Sequence, residues 1–142
     1  SAKGRSRREL RERLLEKPWT NAEIVDAVID KLTEYKFIDD ASFARSTALS
    51  NLRQKPQGKR RLTFTLSQKK LDRSVVEDAV AAAYDEMSEA SLIDEAIAKR
   101  IRIKGKPETR EDLKKFFDHL MRRGFEMSLI RDRLAEIGNL DD

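Results

Sequence analysis

The sequence of 142 residues has no cysteine and a single histidine, His119. Without cysteine the chain cannot form a disulfide scaffold, a thiolate zinc site or a cysteine nucleophile. A lone histidine also excludes most imidazole metal sites and any mechanism that needs two histidines. No apolar run approaches the roughly 18 residues of a membrane span, and the basic beginning lacks the apolar core of a signal peptide. We therefore expect a cytoplasmic protein with no membrane association, no metal and no cofactor.

Glycine and proline are also scarce, with five and three residues, which favours helices over hairpins. Charged residues make up 39%, well above the usual share of about 25%, and this favours a helix-rich body with much solvated surface. Apolar residues recur three and four positions apart, which is the period of amphipathic helices. The sequence predicts an all-α protein.

Helix boundaries follow from short polar or acidic side chains, which suit helix N-termini, and from proline, which ends helices. The predicted N-caps are Ser6 with Glu9 as its capping-box partner, Thr20 or Asn21, and Asp39–Asp40; the predicted helix ends are Pro18 and Pro56–Gly58. The first 58 residues therefore predict three helices, at about 6–17, from about residue 21, and at about 39–52.

An apolar pattern with steps of four, five, five and four residues occurs three times. The copies are Leu10, Leu14, Trp19, Ile24 and Val28; Leu62, Leu66, Leu71, Val76 and Val80; and Phe116, Leu120, Phe125, Ile130 and Leu134. This repetition predicts a helix, a tight turn and a second helix in each copy, with one apolar stripe buried. Trp19 shares the turn position of Leu71 and Phe125, so we expect its side chain in the core.

A leading helix precedes the second and third copies, which makes each a three-helix unit related to the helix-turn-helix. The predicted repeats are 38–84 and 88–138, and 6–37 is predicted to be an incomplete first repeat that lacks its first helix. Tandem units of this kind pack mostly against their neighbours. We therefore expect an elongated, curved body.

Thirty basic and 26 acidic residues leave a net charge of only +4, but the charges are grouped along the chain. Three segments are rich in basic residues. Residues 53–73 hold eight basic residues and one acidic residue, and residues 99–115 hold eight basic and three acidic residues. Residues 1–17 hold seven basic and three acidic residues. Residues 76–98 hold seven acidic residues and no basic one. Each basic group falls at or just before the second helix of a copy, where cations and helix amides can meet phosphates. This placement favours a polyanion partner over a merely solvated face, and the acidic segment would pair internally or face a basic protein.

No set of residues predicts catalysis. Gln57–Arg60 and Gly105–Lys106 lack the spaced glycines and the Lys–Ser/Thr pair of a phosphate-binding loop. Nothing assembles a nucleophile, a base and an oxyanion site. His119 has no second histidine near it and is predicted to lie at the surface or at the boundary of the core. We expect a binding protein, not an enzyme.

Four segments resemble motifs of the RecX family of recombinase regulators, and together they span about residues 6–137. The family's Ser-Arg-x-Glu-Leu helix is similar to Ser6–Leu10 with Leu14, and its motif of an apolar residue, two aspartates and then Phe-Ala is similar to Phe37–Ala44. The family's helix start, a glycine followed by basic residues, is similar to Gly58–Leu62 with Leu66. Its C-terminal signature is similar to Arg122–Phe125, with Ile130 and Leu134. Lys70 and Pro18 stand where the family usually has the turn glycine seen here as Gly124. Lys70 is therefore expected in a left-handed conformation, and the first turn is expected to be built differently.

The resemblance implies a cytoplasmic bacterial protein that binds the RecA nucleoprotein filament and lies in its helical groove. It also implies inhibition of recombinase, ATPase and co-protease activity, and hence a role in homologous recombination, DNA repair and the SOS response. We expect a monomer that binds single-stranded DNA weakly and in a salt-dependent way. The predicted filament- and nucleic-acid-binding residues are Lys59, Arg60, Arg61, Lys69, Lys70, Lys104, Lys106, Lys114, Lys115, Arg122 and Arg123.

Two other functions compete with this one. A stand-alone helix-turn-helix transcriptional regulator would place the helices around Ile24, Val76 and Ile130 in major grooves. The acidic residues that follow Val76 disfavour that function, because they would face phosphate. A protein-only helical adaptor would use its basic residues only for solubility.

Overall fold

The computed structural model describes residues 7–140, and the side chains of residues 9–138. In this range the chain forms seven helices and no strand, which confirms the all-α prediction. They are α1 (Arg7–Leu15), α2 (Ala22–Gln54), α3 (Lys59–Ser67), α4 (Arg73–Glu86), α5 (Glu89–Lys104), α6 (Arg110–Arg122) and α7 (Met127–Leu140). Ser6, the first predicted N-cap, lies outside the described residues. Within the described part, each helix is too short or too polar to cross a membrane.

Contacts along the chain divide it into two compact units, one up to Phe43 and one from Ala44 onward. In the first unit, the Thr20 hydroxyl donates to the carbonyl of Leu14 at 2.9 Å and fixes the turn after α1. The Asn21 side chain accepts from the Ile24 N–H at 2.9 Å, so Asn21 is the cap at the start of α2. One of the two predicted capping residues is thereby confirmed.

Three of the five predicted core positions of the first copy are wrong, and the other two, Leu10 and Leu14, are half-buried. Trp19 is 72% exposed and is not a core side chain, and Ile24 and Val28 are exposed as well. The buried residues on this part of α2 are Val25 and Ile29, one position further along. The physical reason lies in the connection 16–21, which is longer than the connections 68–72 and 123–126 of the other copies. Pro18 in this connection also cannot adopt the left-handed conformation that Lys70 and Gly124 adopt in the other two connections, where it sets which helix face is buried.

The predicted helix start at Asp39–Asp40 is also wrong, because α2 runs without a break from Ala22 to Gln54. The segment contains neither glycine nor proline, so nothing in it interrupts the backbone hydrogen bonds. An aspartate inside a helix costs only a few tenths of a kcal/mol relative to better helix formers. The predicted end before Pro56 is confirmed.

The second unit contains two groups of three helices, the end of α2 with α3 and α4, called the second repeat below, and α5 with α6 and α7, called the third repeat. All predicted apolar positions of these copies are buried except Leu71, which is half-buried against the core. Lys70 has φ of 56° and Gly124 has φ of 87°, so both left-handed turns occur as predicted. The side chains of Ser88 and Thr109 cap α5 and α6.

The start of α3 and the turn after α6 meet at two glycines. The Gly58 N–H donates to the carbonyl of Arg123 at 2.9 Å. A Cβ on Gly58 would overlap the Gly124 carbonyl, and a Cβ on Gly124 would overlap Arg61. Only glycine allows the backbones of the second and third repeats to approach this closely. The contact sets the position of the basic side chains that flank it.

Candidate nucleic-acid interface

A cavity of about 230 Å³ lies between the residues after α2, one face of α5 and the end of α6. Pro56, Ala96 and Ile103 supply much of its apolar surface, and His119 forms part of the wall. The charged residues that line it are all basic: Lys55, Lys99, Arg100, Lys104 and Arg123. We call this cavity the His119 pocket.

The sequence of α5 explains why apolar and basic side chains share the pocket. Residues 96, 100, 103 and 104 are spaced by one helical turn or less, so they lie on one face of the helix. The buried Ala96 provides room for a cavity where a larger side chain would fill it. The long side chains of Lys and Arg place their methylene groups along the cavity and their charges at its edge.

A second, more polar cavity adjoins the first, because Arg100 and Lys104 line both. It adds Lys106 and Lys115, and its acidic residue is Asp112, which accepts from the Glu108 N–H at 3.3 Å. The Arg100 guanidinium carbon lies 5.3 Å from the centroid of the Phe116 ring, a cation–π contact that holds this side chain. We call the two cavities together the basic groove.

Burial and four nearby cations, Arg100, Arg122, Arg123 and Lys55, lower the pKa of His119 to about 4. The imidazole is therefore neutral at pH 7. Burial and the neighbouring Arg61 also lower the pKa of Arg123, whose guanidinium donates to the carbonyl of Pro56 at 3.1 Å. An arginine keeps its proton at any physiological pH, so the groove concentrates positive charge.

The structure brings four of the predicted binding residues into the groove: Lys104, Lys106, Lys115 and Arg123. Arg122 lies close enough to His119 to affect its pKa. Lys114 points elsewhere and pairs with Asp118 at 3.1 Å. Lys69 and Lys70 are exposed in the turn between α3 and α4 and line neither cavity.

The predicted residues Lys59, Arg60 and Arg61 flank the contact between the second and third repeats. Arg60 donates to the carbonyl of Met121 at 2.9 Å, across 61 residues of sequence. The Lys59 N–H donates to Glu89 at 3.0 Å, and its ammonium nitrogen lies 5.9 Å from the centroid of the Tyr84 ring. The Arg60 side chain and the Lys59 backbone therefore contribute to joining the repeats, which sequence reasoning did not anticipate.

Two residues of the acidic segment form ion pairs with cations outside the groove. Glu77 accepts from Arg73 at 3.0 Å, and Asp94 accepts from Arg133 at 2.7 Å. Among residues 7–140, Lys114 is the predicted binding residue that forms a side-chain ion pair. Neither of the two ion pairs of the acidic segment, Arg73–Glu77 and Arg133–Asp94, involves a residue that lines the basic groove.

Sequence reasoning missed Lys55, Lys99, Arg100 and His119 as members of the groove. The signal for Lys99 and Arg100 was present, because apolar and basic residues alternate at helical spacing over residues 96–104. Lys55 and His119 had no such signal. They join the groove through the packing of α6 against the second repeat, across more than 60 residues of sequence.

Two models of one protein family match most of the second half of α2 and the helices that follow it. The family model described as RecX, second three-helix domain, matches residues 39–80, and RecX, third three-helix domain, matches residues 88–134. No solved structure matches the chain.

Relatives named Regulatory protein RecX cover most of the sequence. The protein from Prosthecochloris aestuarii is 35% identical over 93% of this chain and 83% of its own length. The proteins from Chlorobium phaeobacteroides and Chlorobium limicola are each 33% identical, over 93% and 96% of this chain, and over 83% of their own lengths. These relatives are named as regulators and not as enzymes. Identity of this extent, with tandem three-helix domains in the family's order, places the chain in the RecX family of regulatory proteins.

Proposed function

We propose that this protein regulates RecA by binding the RecA–DNA filament, and that the basic groove of its second unit contacts the filament's nucleic acid. The groove is the observation that supports this proposal. It gathers Lys55, Lys99, Arg100, Lys104, Lys106, Lys115 and Arg123 around two adjoining cavities with one acidic residue. Cations that lack acidic partners keep their full charge for a phosphate backbone.

Inhibition follows if the bound protein prefers one state of the filament. A ligand shifts an equilibrium only as far as its affinities for the two states differ. A protein that contacts both RecA and DNA would favour a filament that cannot exchange strands or one that disassembles. Lower recombinase, ATPase and co-protease activity would result.

We propose that the remaining sequence-predicted residues, which lie outside the two cavities, make further contacts with the filament. They are Lys59, Arg60, Arg61, Lys69, Lys70, Lys114 and Arg122. We also propose that the protein acts in the cytoplasm as a monomer without enzymatic activity. The proposed repeats keep the bounds 6–37, 38–84 and 88–138.

The stand-alone transcriptional regulator is the weaker alternative. Its recognition helix in the second repeat would be α4, which exposes Glu77, Asp78, Asp85 and Glu86. Carboxylates on that helix would repel the phosphates on either side of a major groove.

The test is a titration of RecA ATPase activity on single-stranded DNA with the wild-type protein and two triple variants. The groove variant carries Lys104→Glu, Lys106→Glu and Lys115→Glu. The control carries Lys31→Glu, Arg45→Glu and Arg131→Glu, which make the same charge change at exposed positions outside the groove. We expect inhibition by wild type and control, and a loss of potency of about tenfold or more for the groove variant.

Two results would overturn the proposal. The absence of inhibition by the wild-type protein would exclude the function, and full potency of the groove variant would exclude the site. Charge reversal at Lys59, Arg60 and Arg61 is a less direct test. The Arg60 side chain also joins the repeats through its hydrogen bond to the Met121 carbonyl, so a loss of activity there would mix binding with stability.

A further inference from the structure

We infer that the His119 pocket receives one unstacked base of single-stranded DNA, while the phosphates beside that base lie on the cations of the groove. The inference rests on the proposed function, because it names the part of the filament that the groove binds. The size, chemistry and continuity of the two cavities each support it.

The size of the pocket suits one group of a longer ligand. Its volume of about 230 Å³ is below the roughly 300–1,000 Å³ of pockets that enclose a whole drug-sized molecule. A paired and stacked base cannot enter a concave pocket, whereas a base in a single strand is free to leave the stack. The shape therefore selects single strands over duplex.

The lining of the pocket suits the face of a base. Pro56, Ala96 and Ile103 provide apolar contact, and the imidazole of His119 and the guanidinium planes of Arg100 and Arg123 are groups on which bases stack. A neutral His119 also offers one hydrogen-bond donor and one acceptor to a base edge. Its pKa, lowered to about 4 by burial and the surrounding cations, keeps it in that form.

The cavity next to the pocket suits phosphate. Arg100 and Lys104 stand where the two cavities join, and Lys106 and Lys115 extend the cationic surface. A nucleotide strand presents the same sequence of features, an apolar base face beside a charged phosphate. A simple anion would gain nothing from the apolar surface. An acidic peptide with an apolar side chain would match the charge but gain less from the planar groups.

The decisive experiment compares two fluorescent 15-nucleotide strands by anisotropy, one of oligothymidine and one with abasic sugars throughout. Both carry the same phosphates, so a base pocket is the feature that separates them. We expect wild type to bind the intact strand roughly tenfold more tightly, the scale of one stacked base. His119→Ala and Ile103→Gln should lose most of this preference and bind the abasic strand as wild type does.

The matched control is Lys106→Ala with Lys115→Ala, which should weaken binding of both strands by the same factor. Circular dichroism checks the fold of each variant. Ile103 is 68% exposed, so Ile103→Gln decides the question even if His119→Ala fails to fold.

Equal affinity of wild type for intact and abasic strands would overturn the inference. So would an intact-strand preference that both pocket variants retain. Displacement of either strand by an acidic, leucine-containing peptide, with no dependence on bases, would assign the pocket to a protein ligand and also overturn it. Inhibition of RecA ATPase is measured separately: inhibition without base preference refutes only this inference, and base preference without inhibition refutes only the proposed function.

Discussion

Gly58 and Gly124 decide how closely the second and third repeats approach, and substitution by alanine tests each for a different reason. Gly58 has an ordinary φ of −88°, so its alanine variant suffers only from the overlap with the Gly124 backbone. Gly124→Ala combines overlap with Arg61 and a φ of +87°. Gly105→Ala is the control, because φ is +81° but no atom lies nearby.

We expect urea unfolding to rank these variants in the order Gly105→Ala, Gly58→Ala, Gly124→Ala. Conformational strain alone should cost about 2 kcal/mol at Gly105, because its φ of 81° and ψ of 170° lie in a region that only glycine occupies readily. Overlap with rigid backbone should cost about 3 kcal/mol at Gly58, and the combination at Gly124 should cost more. A Gly58→Ala protein as stable as wild type would mean that the two repeats do not meet at this point.

His119 makes stability depend on pH. Its pKa is 6.5 in an ordinary environment and about 4 in the folded protein, so between these values the unfolded chain binds more protons. Stability therefore falls as pH decreases through this window, and His119 causes no further loss below it. After allowance for solvent screening of the half-buried ring, we expect a loss of about 1 kcal/mol between pH 7 and pH 5. In the His119→Gln variant, the free energy of unfolding in urea should not show this loss between pH 7 and pH 5. A variant with the same pH dependence as the wild type would contradict the prediction.

The unbroken helix α2 predicts the effect of replacing its central acids. An N-cap aspartate contributes about 1 kcal/mol, whereas an aspartate inside a helix is a poorer helix former than alanine. Asp39 is exposed within the 33 residues of α2. We expect Asp39→Ala to leave the free energy of unfolding unchanged or to raise it by a few tenths of a kcal/mol. A decrease of about 1 kcal/mol in the free energy of unfolding, measured by thermal unfolding, would instead indicate that a helix begins at Asp39, as the sequence predicted.

The sequence predicted some elements well because local chemistry fixed their register. In the second and third copies, Lys70 and Gly124 take the left-handed turn, and the apolar residues that follow are buried as expected. In the first copy, Pro18 cannot make that turn, and the buried positions shift to Val25 and Ile29. Periodicity identified the helices, and the turn residues decided which face of each was buried.

The charge pattern of the whole chain predicted a polyanion partner but not the shape of the surface. Basic blocks are visible in the sequence, whereas the groove depends on contacts between distant segments. Lys55 and Arg123 come to one pocket because the residues after α2 pack beside the end of α6. The Lys59 backbone and the Arg60 side chain, by contrast, donate hydrogen bonds that join the second and third repeats. Tertiary packing of this kind has no local signal.

The distribution of the core predicts that the second unit folds alone. Every member of the principal apolar cluster lies between Ala44 and Ile137, and so do both cavities. We expect a fragment of residues 39–142 to unfold cooperatively in urea and to bind single-stranded DNA as the full chain does. A fragment without a cooperative transition would show that the first unit is required for folding.

The groove as a whole should set the salt dependence of DNA binding. Each phosphate neutralised on a single strand contributes about 0.7 to the slope of log affinity against log salt concentration. If Lys104, Lys106 and Lys115 each neutralise one phosphate, their replacement by alanine should reduce the slope by about 2. The control Lys31→Ala, Arg45→Ala, Arg131→Ala should keep the wild-type slope, because those residues lie outside the groove. Equal slopes for the two triple variants, measured by anisotropy between 50 and 200 mM salt, would place the phosphates on another surface.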